Sequence, residues 1–173
     1  MLFRSYRSWF TGALFNHKIQ ECFDSTDETG HTTMEPISFD YRFSNLCNFK
    51  CRMCGDMLSS AWEIEVQRND MWDKRNPKNN WMLPKNRFAI RNFVRDTVIP
   101  EFEAAIENKT VREIYWVGGE PLLYDEHWRF MRRIVELGFA NQVRVRYNTN
   151  LSYCKDAQGT IWELLEHFPN WEI

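Results

Sequence analysis

Short apolar runs of period two alternate along this chain with segments of helical period, and that alternation limits the folds open to it. Ile37 to Phe43, Val111 to Val117 and Val143 to Tyr147 read as strands. Between the first two, a helix is expected on Trp62, Ile64 and Val66, capped by Ser59 or Ser60. Residues 67–87, rich in Asn, Asp, Lys and Pro, read as a long surface loop. A second helix is expected on Ile90, Val94, Val98, Phe102 and Ile106, with Pro100 breaking or kinking it. Trp128, Met131, Ile134 or Val135, and Leu137 line a third that Gly138 can end. Ile161, Leu164, Leu165 and Phe168 form one more helical face before Pro169, and Trp171-Glu172-Ile173 reads as the start of a fourth strand. An order of strand, helix, strand implies parallel strands joined by right-handed crossovers. Ligands of such sheets gather at the carboxyl ends of the strands.

One face of this sheet is polar. Ser38, Asp40 and Arg42 share a face of the first strand, and Arg144 and Arg146 share a face of the third. Parallel sheets are usually apolar on both faces, so the polar face is expected to line a ligand-filled concavity, the alternative being a solvated surface. In the first reading Arg144 and Arg146 would pair with a carboxylate or phosphate.

The end of the first strand runs directly into Cys47-Asn48-Phe49-Lys50-Cys51-Arg52-Met53-Cys54. This loop supplies three thiolates at C-x3-C-x2-C spacing. Structural zinc sites usually take four ligands, often as two pairs, and iron–sulfur clusters are usually held by four cysteines. Three close thiolates without an evident fourth suit a cubane cluster with one iron open to a small molecule. The remaining cysteines, Cys22 and Cys154, are isolated and read as structural thiols. An odd, clustered set of five argues against a disulfide scaffold and for a reducing compartment, the cytoplasm. His17, His31, His127 and His167 form no spaced pair and receive no ligand role.

Composition removes several classes. With 22 basic and 24 acidic residues the net charge is -2, which gives no field for nucleic acid. Eight Trp, thirteen Phe and six Tyr argue for a packed core against disorder. No apolar run approaches membrane-spanning length. The basic start with Arg4, Arg7 and Lys18 faintly looks like a targeting peptide, but Thr11 and Gly12 interrupt its apolar stretch, and a surface helix or arm is expected.

The second strand ends at Gly118-Gly119-Glu120-Pro121 and the third at Asn148-Thr149-Asn150. With the cysteine triplet after the first, these motifs resemble the radical S-adenosylmethionine (SAM) enzymes. Ser44-Asn45-Leu46, Gly55, Ser59-Ser60 and Trp62 resemble more narrowly the twitch-domain subfamily. The resemblance implies an α/β fold: the first half of a partial (β/α)6 TIM-like barrel of parallel strands. Residues 1–34 would be an N-terminal extension and 35–173 the radical SAM core. It further implies that Cys47, Cys51 and Cys54 bind a [4Fe–4S] cluster whose fourth iron chelates SAM. Reductive cleavage would then give a 5′-deoxyadenosyl radical that abstracts a substrate hydrogen. Gly118, Gly119, Glu120 and Pro121 would bind the methionine part of SAM, with Glu120 accepting from its ammonium. Met53 stands where the family usually has an aromatic residue beside the adenine. Asn150 matches a position near SAM, although Leu151 replaces the usual glycine. Arg42 and Lys50 would tune the cluster's charge environment and Phe49 would shield it. The plainer roles remain open beside these: a turn for the glycines, a helix-terminal charge for Glu120, solvation for the cations.

Implied partners are an external one-electron reductant and an unidentified peptide, protein or small-molecule substrate. Parallel barrels usually need roughly 200 residues or more. This chain of 173 stops as its fourth strand begins. A truncated product, a fragment, or a barrel completed by a second chain is therefore expected, with SAM cleavage by the single chain impaired. Two further readings stay open: a non-catalytic iron–sulfur module completed by a partner, and a zinc-binding interaction domain.

Overall fold

Parallel strands need neighbours to satisfy their backbones, and the chain provides them by returning each strand beside the last through a helix. The computed structural model describes residues 15–69, 71 and 83–173. The expected arm around Arg4 and Arg7 lies outside these residues, as does most of the loop expected over 67–87. The chain divides into two compact units, Met1–Pro36 and Ile37–Ile173. In the first, a 3-10 turn at Asn16–Lys18 leads into the short helix α1 (Ile19–Asp24). The Asp27 carboxylate then accepts from the Thr29 and His31 amides and the Thr29 hydroxyl, and the hydroxyl bond leads in holding its pKa below the ordinary value.

The second unit is built on β1 (Ser38–Phe39), β2 (Glu113–Trp116), β3 (Arg144–Tyr147) and β6 (Asn170–Glu172), ordered β1-β2-β3-β6 and all parallel. Register pairs Ile114 with Val145 and Trp116 with Tyr147. These side chains share one face with Phe39 and carry the core. Helix α2 (Ser60–Arg68) follows β1, and α3 (Pro84–Phe93) and α4 (Ile99–Glu107) complete the crossover to β2. Helix α5 (Asp125–Glu136) joins β2 to β3. The small hairpin β4 (Lys155–Asp156) and β5 (Gly159–Thr160) leads into α6 (Ile161–Leu165), closed by a reciprocal Thr160–Glu163 capping box. The chain thus shows the parallel α/β half of a TIM-like barrel.

Three local outcomes differ from the sequence expectation. The apolar alternation of Ile37–Phe43 persists in burial, but only Ser38 and Phe39 join the ladder. Tyr41 and Phe43 instead stack on Phe102, with ring centroids 5.7 and 6.1 Å away. Pro100 interrupts the α-helical run without ending it. Its missing amide and its clash with the carbonyl one turn back are absorbed by a π-helical turn, Val94–Val98, between α3 and α4. The long loop ends earlier than expected, because Pro84 starts α3 at a position where its missing N–H costs nothing.

The core fills the space between the sheet and α4–α5. Phe102, Phe130, Met131, Ile134 and Trp116 are fully buried, and Phe102 meets Phe130 edge-on at 5.1 Å. Arg133 grips Glu107 through two bonds of 2.7 and 2.9 Å, tying α5 to α4. Both partners are exposed, so this pair orients more than it stabilises. Gly138, at φ +75°, turns the chain out of α5.

The opposite sheet face is polar as expected, and Glu113 belongs to it. Its carboxylate is buried, accepts from the Ser38 hydroxyl at 2.8 Å and faces Arg146 at 3.8 Å. Glu172 in turn meets Arg144 at 2.9 Å and Arg146 at 3.6 Å. Arg146 also lies over the Tyr115 ring. Opposite charges placed in register thus run across the strands of this face.

Candidate functional site: three interlocked loops at the strand ends

The cysteine loop is stapled to the start of α2 by side chains spaced to reach it. Ser59 caps the helix, accepting from the Trp62 amide at 3.3 Å, while its hydroxyl donates to the Phe49 carbonyl at 2.6 Å. The Ser60 hydroxyl accepts from the Cys47 amide at 3.0 Å and donates to the Cys47 carbonyl at 3.1 Å. The Trp62 indole donates to the Cys51 carbonyl at 3.0 Å. Lys50 pairs with Glu65 on the same helix, which partly spends the charge expected to act on a cluster. Asn45 enters from the strand side, donating to the buried Glu63 at 2.6 Å.

Cys47 and Cys54 are half-buried and Cys51 is exposed; all three are free thiols. Burial pushes the Cys54 thiol up, and the neighbouring Cys51 and Cys47 charges add to it. The Phe49 amide donates to the Cys47 sulfur at 3.4 Å. Among the described residues no three His, Cys, Asp or Glu side chains are gathered into a ready metal cage. The chemistry of the donors still fits an iron–sulfur cluster: three soft thiolates on one short loop. The repulsion felt at Cys54 is what bound iron would offset. Met53 is exposed at 93%, and Phe49 is partly exposed.

Gly118 and Gly119 sit at φ +85° and +63°. A Cβ on Gly119 would run into the Leu46 carbonyl and the Tyr124 hydroxyl, and one on Gly118 would lie 2.8 Å from Cγ of Arg42. These glycines let the second loop press against the first. The contact is sealed by the Glu120 amide donating to the Leu46 carbonyl at 2.7 Å. The Glu120 side chain is buried; its carboxylate accepts from the Leu122 amide at 3.1 Å, the Thr149 hydroxyl at 2.6 Å and the Asn150 amide at 2.7 Å. Glu120 is therefore both the cap of the turn Pro121–Leu123 and the tie to the third loop. Pro121 is buried at the start of that turn.

The third loop closes on the cysteines. The Asn150 side-chain amide lies 3.8 Å from the Cys47 sulfur and donates to Asn48 at 3.3 Å. Asn48 reciprocates toward the Ser152 hydroxyl at 2.8 Å. Leu151, where the resemblance expects glycine, still adopts φ +53°.

The structure thus brings Cys47, Gly118, Gly119, Glu120 and Asn150 into one contiguous assembly, while Met53 is exposed on the cysteine loop. Sequence reading missed Tyr124 and Glu63. Tyr124 is buried, and its hydroxyl lies between the carbonyls of Ser44 and Gly118, which share its single proton, tying the first loop to the second. Burial raises its pKa above the ordinary value, with the charges of Glu120, Cys47 and Glu126 adding to the effect. Its one sequence signal was position, four residues beyond Glu120. Arg144 and Arg146 lie lower on the polar face, engaged with Glu172.

The sequence model of the Radical SAM superfamily matches residues 41–169. No curated protein and no solved structure matches the chain. The matched span contains all three loops and the strands β2 and β3 that present the second and third, so the chain belongs to the radical SAM superfamily.

Proposed function

We propose that this chain is the cofactor-binding core of a radical SAM enzyme. Cys47, Cys51 and Cys54 hold a [4Fe–4S] cluster, and Gly118, Gly119, Glu120, Pro121, Asn150 and Met53 receive SAM. Those cofactors supply one-electron cleavage of the sulfonium and a 5′-deoxyadenosyl radical that abstracts a hydrogen from the substrate. The carrying observation is the interlock at the strand ends: Glu120 bonds the third loop, Gly119 packs on the first, and Asn150 reaches Cys47.

The residues divide the work. Ser59, Ser60 and Trp62 fix the backbone that presents the thiols. Gly118 and Gly119, without side chains, let the second loop pack directly on Arg42, Leu46 and Tyr124. Glu120 has three of its acceptor positions occupied, so it contributes negative charge at a fixed place with capacity for one further donor, such as an ammonium. Electrons come from an external one-electron reductant, and residues 35–173 form the working core with 1–34 as an extension. The resemblance of Ser44-Asn45-Leu46, Ser59-Ser60 and Trp62 supports a kinship with twitch-domain proteins. Five free thiols suit the cytoplasm. Among the described residues no helix is long and apolar enough to cross a membrane.

Anaerobic reconstitution with iron and sulfide tests this directly. Electron paramagnetic resonance of the reduced protein should show a [4Fe–4S] signal that changes when SAM is added, and Cys51→Ala should abolish the signal. A colourless protein holding one tight zinc would overturn the reading.

A further inference from the structure

A cavity of about 280 Å³ opens between α2, α3 and the segment Arg42–Asn45. Its apolar walls come from Phe43, Leu58, Ile90 and Val94. Three arginines line it, Arg42, Arg87 and Arg91, against one acidic residue, Glu63. Glu63 is buried and already committed: Arg87 pairs with it, and Asn45 and Gln67 donate to it. That pair is neutral, which leaves Arg42 and Arg91 to set the charge of the cavity. Arg42 has a loose partner, Asp40 at 3.7 Å, both more than half exposed. Arg91 has no ion pair among the described residues.

We infer that this cavity binds a small carboxylate carrying an apolar chain. The planar forks of Arg42 and Arg91 match a carboxylate, and the walls take the chain. The volume is roughly that of nine water molecules in the liquid, enough for a tail of octanoate size. A cationic head would face uncompensated like charge, and a neutral head would leave the guanidinium groups without a counter-charge. The site is distinct from the thiols but shares their backbone: the Arg42 stem packs on Gly118, and Asn45 leads into the cysteine loop through Leu46. A ligand here would therefore press on the loop that carries Cys47.

The inference requires no bound cofactor, so its test is separate from that of the cluster. Titrating the full chain with octanoate, followed by calorimetry, should give one saturable site. Octylamine and octanol should bind at least tenfold more weakly. Arg91→Gln should weaken octanoate about tenfold, as expected for losing one charge-assisted contact. Ile90→Glu, at an exposed helix position, should abolish binding while leaving the thermal midpoint near that of the parent. Equal affinity for octanol, undiminished binding in Arg91→Gln, or no saturable octanoate site would overturn the proposal.

Discussion

Two residues with positive φ, one glycine and one not, show how differently the chain treats close approach and simple turning. Gly119 adopts φ +63° with the Leu46 carbonyl and Tyr124 hydroxyl occupying the space a Cβ would need. Gly119→Ala should destabilise the fold by about 1–3 kcal/mol from backbone strain alone, with the clash adding to it, as chemical denaturation would measure. Leu151 adopts φ +53° and is more than a third exposed. A left-handed non-glycine residue costs about 1–2 kcal/mol, while glycine there forfeits about 0.5–1 kcal/mol of backbone entropy. Leu151→Gly should therefore leave stability unchanged or raise it by up to about 1 kcal/mol; a clear loss in the same denaturation assay would refute the strain assignment. The pair also explains why a glycine motif is readable in a sequence and a strained leucine is not. Glycine announces its freedom, whereas Leu151 is held in place by Thr149 accepting from its amide.

Neighbouring serines at the start of α2 separate two functions that the sequence left merged. Reading the residues, either Ser59 or Ser60 could cap the helix. Ser59 does so, and Ser60 turns to hold both backbone groups of Cys47. Ser59→Ala should lower stability by about 1 kcal/mol or more, because the cap and a buried bond to Phe49 are both lost. Ser60→Ala should leave helicity by circular dichroism unchanged, yet speed hydrogen exchange at the Cys47 amide. If the two variants behave alike, this division of roles is wrong. The α3–α4 segment carries a similar lesson. Its apolar spacing was legible, but the π turn that reconciles it with Pro100 was not, since spacing does not report which carbonyl an amide will choose.

At the level of the whole unit, the polar sheet face and the apolar helical face demand opposite things of ionisable groups. His127 lies on the apolar side, fully buried among Trp116, Trp128 and Tyr147, with one ring nitrogen 2.8 Å from the Tyr147 hydroxyl. Burial pushes its pKa down to about 3, with the Arg132 charge helping and Asp156 opposing. The folded state thus binds a proton less readily than the unfolded chain, whose His titrates at the ordinary value of 6.5. Stability from this group is fully present above about 6.5 and is lost as pH falls toward about 3. Near about pH 5 the loss should be roughly 2 kcal/mol. The paired variant His127→Phe, Tyr147→Phe, which leaves no orphaned hydroxyl, should flatten that slope in urea titrations at stepped pH. An unchanged slope would move the acid sensitivity elsewhere.

The sequence by itself determined the order of strands and helices and which strand ends carry the three motifs, because periodicity and backbone-permissive residues leave local signatures. It also determined the donor chemistry, since three thiolates within an eight-residue segment need no fold to be neighbours. Only the tertiary structure decided how the motifs depend on one another. Glu120 bonding the Asn150 amide, Tyr124 bridging Ser44 to Gly118, and Glu113 facing Arg146 are pairings across separate strands. Their partners lie tens of residues apart, so nothing in local spacing encodes them; parallel pairing and register place them side by side.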